Sequence, residues 1–230
     1  MSKSLLYYTG HRHAEEIEQA CRVQLDKARG SLELIAVSLK PIDFGDVNVV
    51  IPLEPSKVTM TRQILDGLYL CDPGAVFLCE NDVLYHPSHF DFEPALGSVF
   101  WYNTNVWRVR YADGHAVWTD DLQQTSGLCA DRDLLVAHYR GRLALMQGMG
   151  FDGHYEPGPK TSKHAALNWQ SRWPNLDIRH DGTLTRSKWS PGEFRNPYYA
   201  RGWSETGDLP GWGPGRELMD KVRSGNYGAK

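Results

Sequence analysis

Apolar residues in the first eighty positions form short continuous runs that alternate with segments of helical periodicity. The runs at residues 5–8, 32–39 and 75–79 are bounded by polar or turn-forming residues, which predicts buried strands. Between these runs, residues 14–29 and 57–70 place apolar side chains three and four positions apart, which predicts two amphipathic helices. Alternating strands and helices are typical of an α/β domain with a largely parallel sheet.

The pattern changes in the second half of the chain. Residues 98–110 are rich in aromatic and β-branched side chains, and a following Asp-Gly pair predicts a hairpin turn. Residues 131–146 return to helical periodicity, and glycine and proline become frequent after them. We therefore predict one structural domain, in which residues 1–159 form the core and residues 160–230 wrap around it.

The composition is that of a globular protein, with 41% hydrophobic and 23% charged residues. No apolar run approaches the roughly 20 residues that span a bilayer. The four cysteines show neither a CxxC pair nor the dense spacing of a disulfide framework. From these features we expect a cytoplasmic protein that does not bind a membrane.

Charge is distributed unevenly along the chain. Residues 1–159 hold 13 Lys and Arg against 21 Asp and Glu, whereas residues 160–230 hold 12 against 7. The second segment also carries five of the eight tryptophans: Trp169, Trp173, Trp189, Trp203 and Trp212. A basic, aromatic-rich segment after an acidic part indicates a surface that binds a partner. The alternative is a lid whose tryptophans pack on the core.

Two carboxylates follow the third predicted strand, in the motif Glu80-Asn81-Asp82. Ligands of open α/β sheets bind beyond the carboxyl ends of the strands, where these side chains are expected. Carboxylates with substrate phosphates are the usual ligands of Mg²⁺, so the motif favours a divalent cation. The alternative is a polar turn that binds no metal. Other polar residues also follow predicted strands: Thr9, Gly10 and Lys40.

Over about residues 5–180 the sequence resembles glycosyltransferases of the GT-A fold, most closely those of the family-2 type. Those enzymes have a strand, a helix, a second strand, a helix that begins near an Arg–Asn pair, an apolar strand and an acid-x-Asp motif. In this chain Arg62-Gln63 stands at the Arg–Asn pair and Glu80-Asn81-Asp82 at the acid-x-Asp motif. The resemblance implies a Rossmann-like mixed sheet flanked by helices, with residues 1–159 as the nucleotide-sugar-binding core.

The resemblance also implies roles for individual residues. Asp82, with Glu80 and a late histidine, His180, would bind Mn²⁺ or Mg²⁺. The residues expected to contact the nucleotide-sugar donor are Thr9, Gly10, Lys40, Arg62, Glu80 and Asn81. Glu156 is the first choice for the catalytic base that removes the acceptor's proton, and Asp120 and Asp121 are its rivals. If none of them reaches the acceptor, a retaining mechanism is possible.

The last part of the chain resembles small GT-A proteins of phages and viral metagenomes, some of which glycosylate hydroxymethylated pyrimidines in DNA. This resemblance implies transfer of glucose from UDP-glucose to 5-hydroxymethylcytosine in duplex DNA, in the host cytoplasm if a phage encodes the protein. The residues expected to contact DNA are Lys160, Lys163, Arg186, Lys188, Trp189 and Arg195. Basic residues neutralise phosphates, and aromatic rings stack on bases.

Two alternatives remain open at this point. The first is a glycosyltransferase whose acceptor is a glycan or a small molecule, which would turn over its donor without binding DNA. The second is a non-catalytic binding module on a GT-A scaffold, which would bind without a metal and would tolerate loss of Asp82. A dinucleotide-binding dehydrogenase is disfavoured because no GxGxxG follows the first strand. The absence of GxxxxGK[ST] excludes a P-loop hydrolase.

Overall fold

A computed structural model describes residues 2–120, 122–149, 156–158, 161–183, 186–194 and 202–228. Its helices are α1 (Glu15–Arg29), α2 (Lys57–Leu68), α3 (Arg132–Met149) and α4 (Gly215–Arg223). Its strands are β1 (Lys3–Thr9), β2 (Glu33–Ser38), β3 (Val47–Val50), β4 (Ala75–Glu80), β5 (Val83–Leu84), β6 (Val99–Asn103), β7 (Val106–Arg110), β8 (Ala116–Trp118), β9 (Leu128–Asp131), β10 (Ala165–Trp169), β11 (Asn175–Arg179), β12 (Ser204–Thr206), β13 (Asp208–Leu209) and β14 (Gly213–Pro214).

Seven strands form a large mixed sheet in the order β10-β6-β9-β4-β1-β2-β3. Strand β9 runs antiparallel to both of its neighbours, and the other paired strands of this sheet are parallel. Both faces are covered, because Leu6 and Tyr8 pack towards α2 and α3 while Leu5 and Tyr7 pack against α1 and the segment after β5. This sheet with its helices confirms the predicted α/β fold, a Rossmann-like mixed sheet flanked by helices.

A second sheet of five strands has the order β12-β8-β7-β11-β5. One of its faces is apolar and packs on α1 and α4, through residues such as Leu176 and Ile178 against Ile17 and Met219. Hydropathy of the sequence did not predict this sheet, because its strands come from distant parts of the chain and pair only in the folded protein.

Residues on both sides of the predicted boundary at 159 contribute to each sheet. Strand β10 forms one edge of the large sheet, and β11 lies inside the small one. The two parts therefore share one folded unit, and the functional division at this boundary stays a prediction. The predicted tryptophan-rich wrap lies partly outside the described residues and also stays a prediction.

Helix α2 is held close to the large sheet above the ends of its strands. Its N-cap is Ser56, whose hydroxyl accepts a hydrogen bond from the Thr59 amide at 3.0 Å. Gly67 faces the sheet so closely that a Cβ atom there would lie 2.3 Å from Cδ1 of Leu6. This approach requires glycine and places the neighbouring Gln63 over the strand ends.

Within the described ranges, no helix has the length and apolar character needed to cross a membrane.

Candidate metal centre and active site

The carboxyl ends of β1, β2 and β4 meet at one edge of the large sheet, as parallel pairing requires. A buried network ties two of these ends together. The Asn81 amide nitrogen donates to Thr9 Oγ1 at 2.9 Å and to Glu18 Oε1 at 3.1 Å. The Thr9 hydroxyl in turn donates to Glu18 Oε2 at 3.3 Å. Asn81 and Thr9 thus hold the shape of this edge, and their predicted contact with the donor stays a prediction.

Gln63, at the position of the usual asparagine, also supports this edge. Its buried amide nitrogen donates to the Thr9 carbonyl at 2.8 Å and to the Val37 carbonyl at 3.2 Å. These two carbonyls belong to the ends of β1 and β2, so α2 is fastened to both strands. We infer that Gln63 positions the site through the backbone.

Asp82 lies directly beyond β4, between two histidines from distant parts of the chain. Its Oδ2 atom is 4.0 Å from Nε2 of His13 and 4.0 Å from Nε2 of His180. The two imidazole rings pack edge to face, with centroids 4.5 Å apart. One ligand atom from each of the three residues falls within 4.8 Å of the others, which makes the trio a candidate metal centre.

The protonation of these histidines suits a metal. Burial lowers the pKa of His13, and burial together with the neighbouring His13 lowers the pKa of His180 to about 4. Both rings are therefore neutral at physiological pH, as metal ligation requires. Two of their nitrogens, His13 Nδ1 and His180 Nε2, are buried without a hydrogen-bond partner among the described residues. Such unpaired buried groups are costly unless a ligand satisfies them.

The turn after β11 determines the tautomer of the neutral His180 ring. The Gly182 amide donates to His180 Nδ1 at 3.1 Å, which assigns the proton of the neutral ring to Nε2. Coordination through Nε2 requires the opposite tautomer, with the proton on Nδ1. To hold a cation through Nε2, His180 would have to give up the hydrogen bond from the Gly182 amide.

The carboxylates around Asp82 repel one another. Burial, followed by the charges of Asp177 and Glu80, raises the pKa of Asp82 well above its usual value. Burial also raises the pKa of Glu80 to about 7, although its Oε1 atom accepts a hydrogen bond from the Tyr8 hydroxyl at 2.9 Å. A divalent cation would offset this repulsion. The excess of negative charge around Asp82 is therefore what a cation site requires.

Arginines balance only part of this negative charge. Arg179 Nη2 lies 2.6 Å from Asp177 Oδ2, which also accepts a hydrogen bond from the Gln124 amide at 2.8 Å. Arg108, on the neighbouring strand β7, donates to the Thr119 hydroxyl at 3.2 Å. Burial, followed by repulsion from Arg179, lowers the pKa of Arg108 to about 10. This arginine cluster adjoins the candidate metal centre through His180.

Glu156 lies at the same edge of the large sheet. Its Oε2 atom accepts a hydrogen bond from the Thr125 hydroxyl at 2.6 Å, and its Oε1 atom lies 3.6 Å from Arg142 Nη1. Its charge contributes to the raised pKa of Glu80, so the two carboxylates are near neighbours. The side chain is 41% exposed, so an acceptor hydroxyl could approach it from solvent. Its predicted role as base stays a prediction.

The remaining predicted site residues lie in less specific surroundings. Lys40 and Asp120 are exposed, and Gly10 is half-buried in the loop after β1. Arg62 points to solvent on α2 and pairs with Asp66 at 3.3 Å. Asp121 lies outside the described residues. Their predicted roles in donor binding and proton transfer stay predictions.

Three of the four described residues predicted to bind DNA contact other parts of this protein. Arg186 pairs with Glu193 at 3.7 Å, and Lys188 lies 4.8 Å from the centre of the Phe194 ring. Trp189 packs on the guanidinium of Arg110 at 5.1 Å. Lys163 is exposed beside a cavity next to α3. Lys160 and Arg195 lie outside the described residues.

Reasoning from the sequence missed His13 as a candidate ligand. It lies in the loop between β1 and α1, four residues beyond the end of β1, where no periodic pattern marks it. The available signal was its position after a buried strand whose neighbour ends in the acidic motif. A histidine in that loop reaches the same sheet edge as Asp82 because the strands are parallel.

Comparisons with known proteins give only distant structural similarities. No protein-family profile matches the chain, and no curated protein shows a significant sequence match. One similar solved structure is a glycosyltransferase involved in glycosylation of the major capsid of PBCV-1, with 9% identity and a TM-score of 0.45 over 74% of this chain and 82% of that chain. Another is the inositol-1-phosphate CTP transferase from T. maritima, with 11% identity and a TM-score of 0.39 over 98% and 97% of the two chains.

Proposed function

We propose that this protein is a metal-dependent glycosyltransferase that moves a sugar from a nucleotide-sugar donor to an acceptor hydroxyl. The observation that carries the proposal is the grouping of Asp82, His13 and His180 at the carboxyl edge of a GT-A-type sheet. Neutral imidazoles with buried unpaired nitrogens favour a metal over a simple polar turn. They also disfavour the non-catalytic module, which has no use for such an arrangement.

The residues divide the work as follows. Asp82, His13 and His180 would hold a divalent cation, which supplies positive charge where the donor diphosphate departs. Glu156 would accept the proton of the acceptor hydroxyl, and Thr125 and Arg142 would orient its two oxygens. The network of Thr9, Asn81 and Glu18 keeps the sheet edge in shape while the donor binds.

The composition of the ligand set favours Mn²⁺ over Mg²⁺. Two of the three candidate ligands are imidazoles, whereas Mg²⁺ prefers carboxylate and water oxygens. The UDP moiety, the glucose and the 5-hydroxymethylcytosine acceptor are proposed on the sequence resemblance alone. Among the described basic residues, Arg186 and Lys188 already contact Glu193 and Phe194, which leaves them less available to DNA.

Metal binding and donor turnover test the proposal together. Calorimetry would measure Mn²⁺ affinity, and UDP release from a panel of UDP-sugars would measure turnover. We expect Asp82→Asn and His13→Gln to weaken Mn²⁺ binding by at least tenfold and to reduce UDP release to background. Asp66→Asn, a half-buried acid on α2 that pairs with Arg62, is the matched control and should behave as the wild type. Wild-type turnover by Asp82→Asn would refute the proposed centre.

The acceptor needs its own measurement. Mass spectrometry of nucleosides from hydroxymethylcytosine-containing duplex DNA, after incubation with Mn²⁺ and the active donor, would detect a hexose-sized mass gain. A gain that depends on Asp82 would support the DNA acceptor. UDP release without that gain would keep the glycosyltransferase and assign it a glycan or small-molecule acceptor. Donor binding without metal dependence would favour the non-catalytic module.

A further inference from the structure

One face of the small sheet carries charged side chains. Parallel pairing of β7 with β11 sets Arg108 beside Asp177 and Arg110 beside Arg179. Residues paired in this way project from the same face of a sheet. This face therefore carries three guanidinium groups and the carboxylate of Asp177, with Glu205 two strands further on and 3.2 Å from His115, whereas the opposite face is apolar and packs on α1 and α4.

The charges on this face do not balance. Arg179 pairs with Asp177 at 2.6 Å, and Arg110 pairs with Asp113 from the hairpin at 2.8 Å. Arg108 has no carboxylate within 4.0 Å in the part of the chain that the structure describes, and it donates to the hydroxyl of Thr119. One buried guanidinium is thus left without a counter-charge, an arrangement that is costly unless an anion offsets it.

Two buried donors on this face are also unused. Arg108 and Arg179 are 6% and 8% exposed, and the Nε atom of each has no hydrogen-bond partner among the described residues. Buried guanidinium donors are normally satisfied. The Arg108 guanidinium lies over the Phe194 ring at 5.7 Å, so of the two it is Arg179, which lines the cavity described next, whose Nε is open to a ligand's acceptor oxygen.

A cavity of about 280 Å³ opens beside Arg179 and Arg110. Its polar lining includes Arg110, Arg179, His180, Asp181 and Ser187, and Trp189 forms an aromatic wall over Arg110 at 5.1 Å. Arg179 is buried together with its partner Asp177, whereas Arg110 is 39% exposed and Asp181 faces solvent, so Arg179 is the deepest charged group of the cavity lining. The volume is below the roughly 300–1,000 Å³ of sites for drug-sized ligands, so the cavity suits one small group.

We propose that this cavity binds a phosphoryl or carboxylate group carried by the acceptor, held by Arg179 and Arg110 with Arg108 adding positive charge. The planar guanidinium fork suits the paired oxygens of either group. The assignment to the acceptor rests on the proposed function, in which the donor's phosphates lie at the metal centre. His180 lines the cavity and belongs to that centre, so the anion would lie next to the reacting groups.

Phosphate binding to the whole, metal-free protein tests this site independently of catalysis. After treatment with EDTA, calorimetric titration with inorganic phosphate at low ionic strength should show saturable binding. We expect Arg179→Gln to weaken it at least tenfold and Arg110→Gln several-fold. Arg140→Gln, an exposed arginine of α3, is the matched control and should bind as the wild type.

Several results would overturn the proposal. One is the absence of saturable binding to the wild type, and another is equal affinity in Arg110→Gln, Arg179→Gln and the control. If Arg179→Gln does not fold, as judged by its thermal transition, the phosphate affinity of Arg110→Gln tests the proposal instead. The Arg110 side chain is 39% exposed, so we expect this variant to fold. Competition between phosphate and UDP with Mn²⁺ would assign the cavity to the donor and overturn the acceptor assignment. Phosphate binding without metal-dependent UDP release would instead refute only the proposed function.

Discussion

The two sheets of this protein bury very different surfaces. The large sheet is apolar on both sides, and Leu5, Leu6 and Tyr7 of its inner strand β1 are fully buried. The small sheet is apolar towards α1 and α4 but buries Arg108 and Asp177 on its other face. Both sheets meet at Asp82, whose carbonyl accepts a hydrogen bond from the Ile178 amide of β11 at 2.9 Å.

This difference suggests that the large sheet serves as the scaffold and the small sheet supplies charged groups to the site. Apolar burial stabilises the fold without requiring a particular orientation of the buried groups. The large sheet therefore acts as a rigid scaffold for the site at its edge. Buried charges are costly and depend on orientation, so the small sheet retains them where a ligand would use them. The following predictions test this comparison through stability, in order of decreasing effect.

Leu6→Ala should have the largest effect on stability. Leu6 is fully buried between β1 and α2, so the shortened side chain leaves a cavity, and we expect a loss of about 4 kcal/mol in the free energy of unfolding. Urea denaturation would measure this loss. Val47→Ala on the edge strand β3, where the side chain is 40% exposed, should cost under about 1 kcal/mol. Equal losses would contradict the role of the large sheet as scaffold.

Asp177→Asn should be the next most costly change. It removes the partner of the buried Arg179 and leaves two neighbouring guanidiniums without a carboxylate, for a loss of about 3 kcal/mol. The same urea experiment on metal-free Asp82→Asn should show little change or a gain, because Asp82 is repelled by its neighbours. Because Asp177 and Asp82 lie in the same site, opposite changes in their stability would reflect the charges around each aspartate. A similar loss in both variants would contradict the proposed charge arrangement.

His89 is an isolated ionisable group beneath the large sheet and gives a pH dependence. Burial lowers its pKa to about 3, so the folded protein resists protonation that the unfolded chain accepts from about pH 6.5. Its contribution is fully present above pH 6.5 and is lost as the pH falls. We expect a loss of about 2 kcal/mol between pH 6.5 and pH 5, measured by urea denaturation at each pH. His89→Gln should lack this part of the slope, and an unchanged slope would contradict the assignment.

Arg62→Ala should have the smallest effect. Its pair with Asp66 is a half-exposed surface ion pair on α2, which is worth less than about 0.5 kcal/mol. If Arg62 contacts the nucleotide, as the sequence resemblance implies, the KM for the donor would rise. Its outward orientation leads us to expect less than a twofold change. Steady-state kinetics with the active donor would distinguish these results.

Prediction from the sequence succeeded where signals are local. The apolar runs marked β1, β2 and β4, and the helical periodicity at residues 14–29 and 57–70 marked α1 and α2. The position of Asp82 beyond a buried strand followed directly from the same pattern. In each case the information lies within a few consecutive residues.

Features that depend on long-range pairing could not be predicted in the same way. The pairing of β11 with both β5 and β7 brings His180 to Asp82 and sets Asp177 beside Arg108. The hydropathy pattern of β7 and β11 fits strands of either sheet, so it does not assign them to the small one. His13 has no periodic signal, because its role depends only on where its loop meets the ends of parallel strands.

The assembly of the centre from three distant points of the chain has a consequence for biosynthesis. A ribosome releases His13 and Asp82 long before it makes His180, so a nascent chain holds an incomplete ligand set. The third ligand arrives only when β11 docks beside β5, which also joins the two sheets. The candidate metal centre is therefore complete only after this long-range pairing has formed.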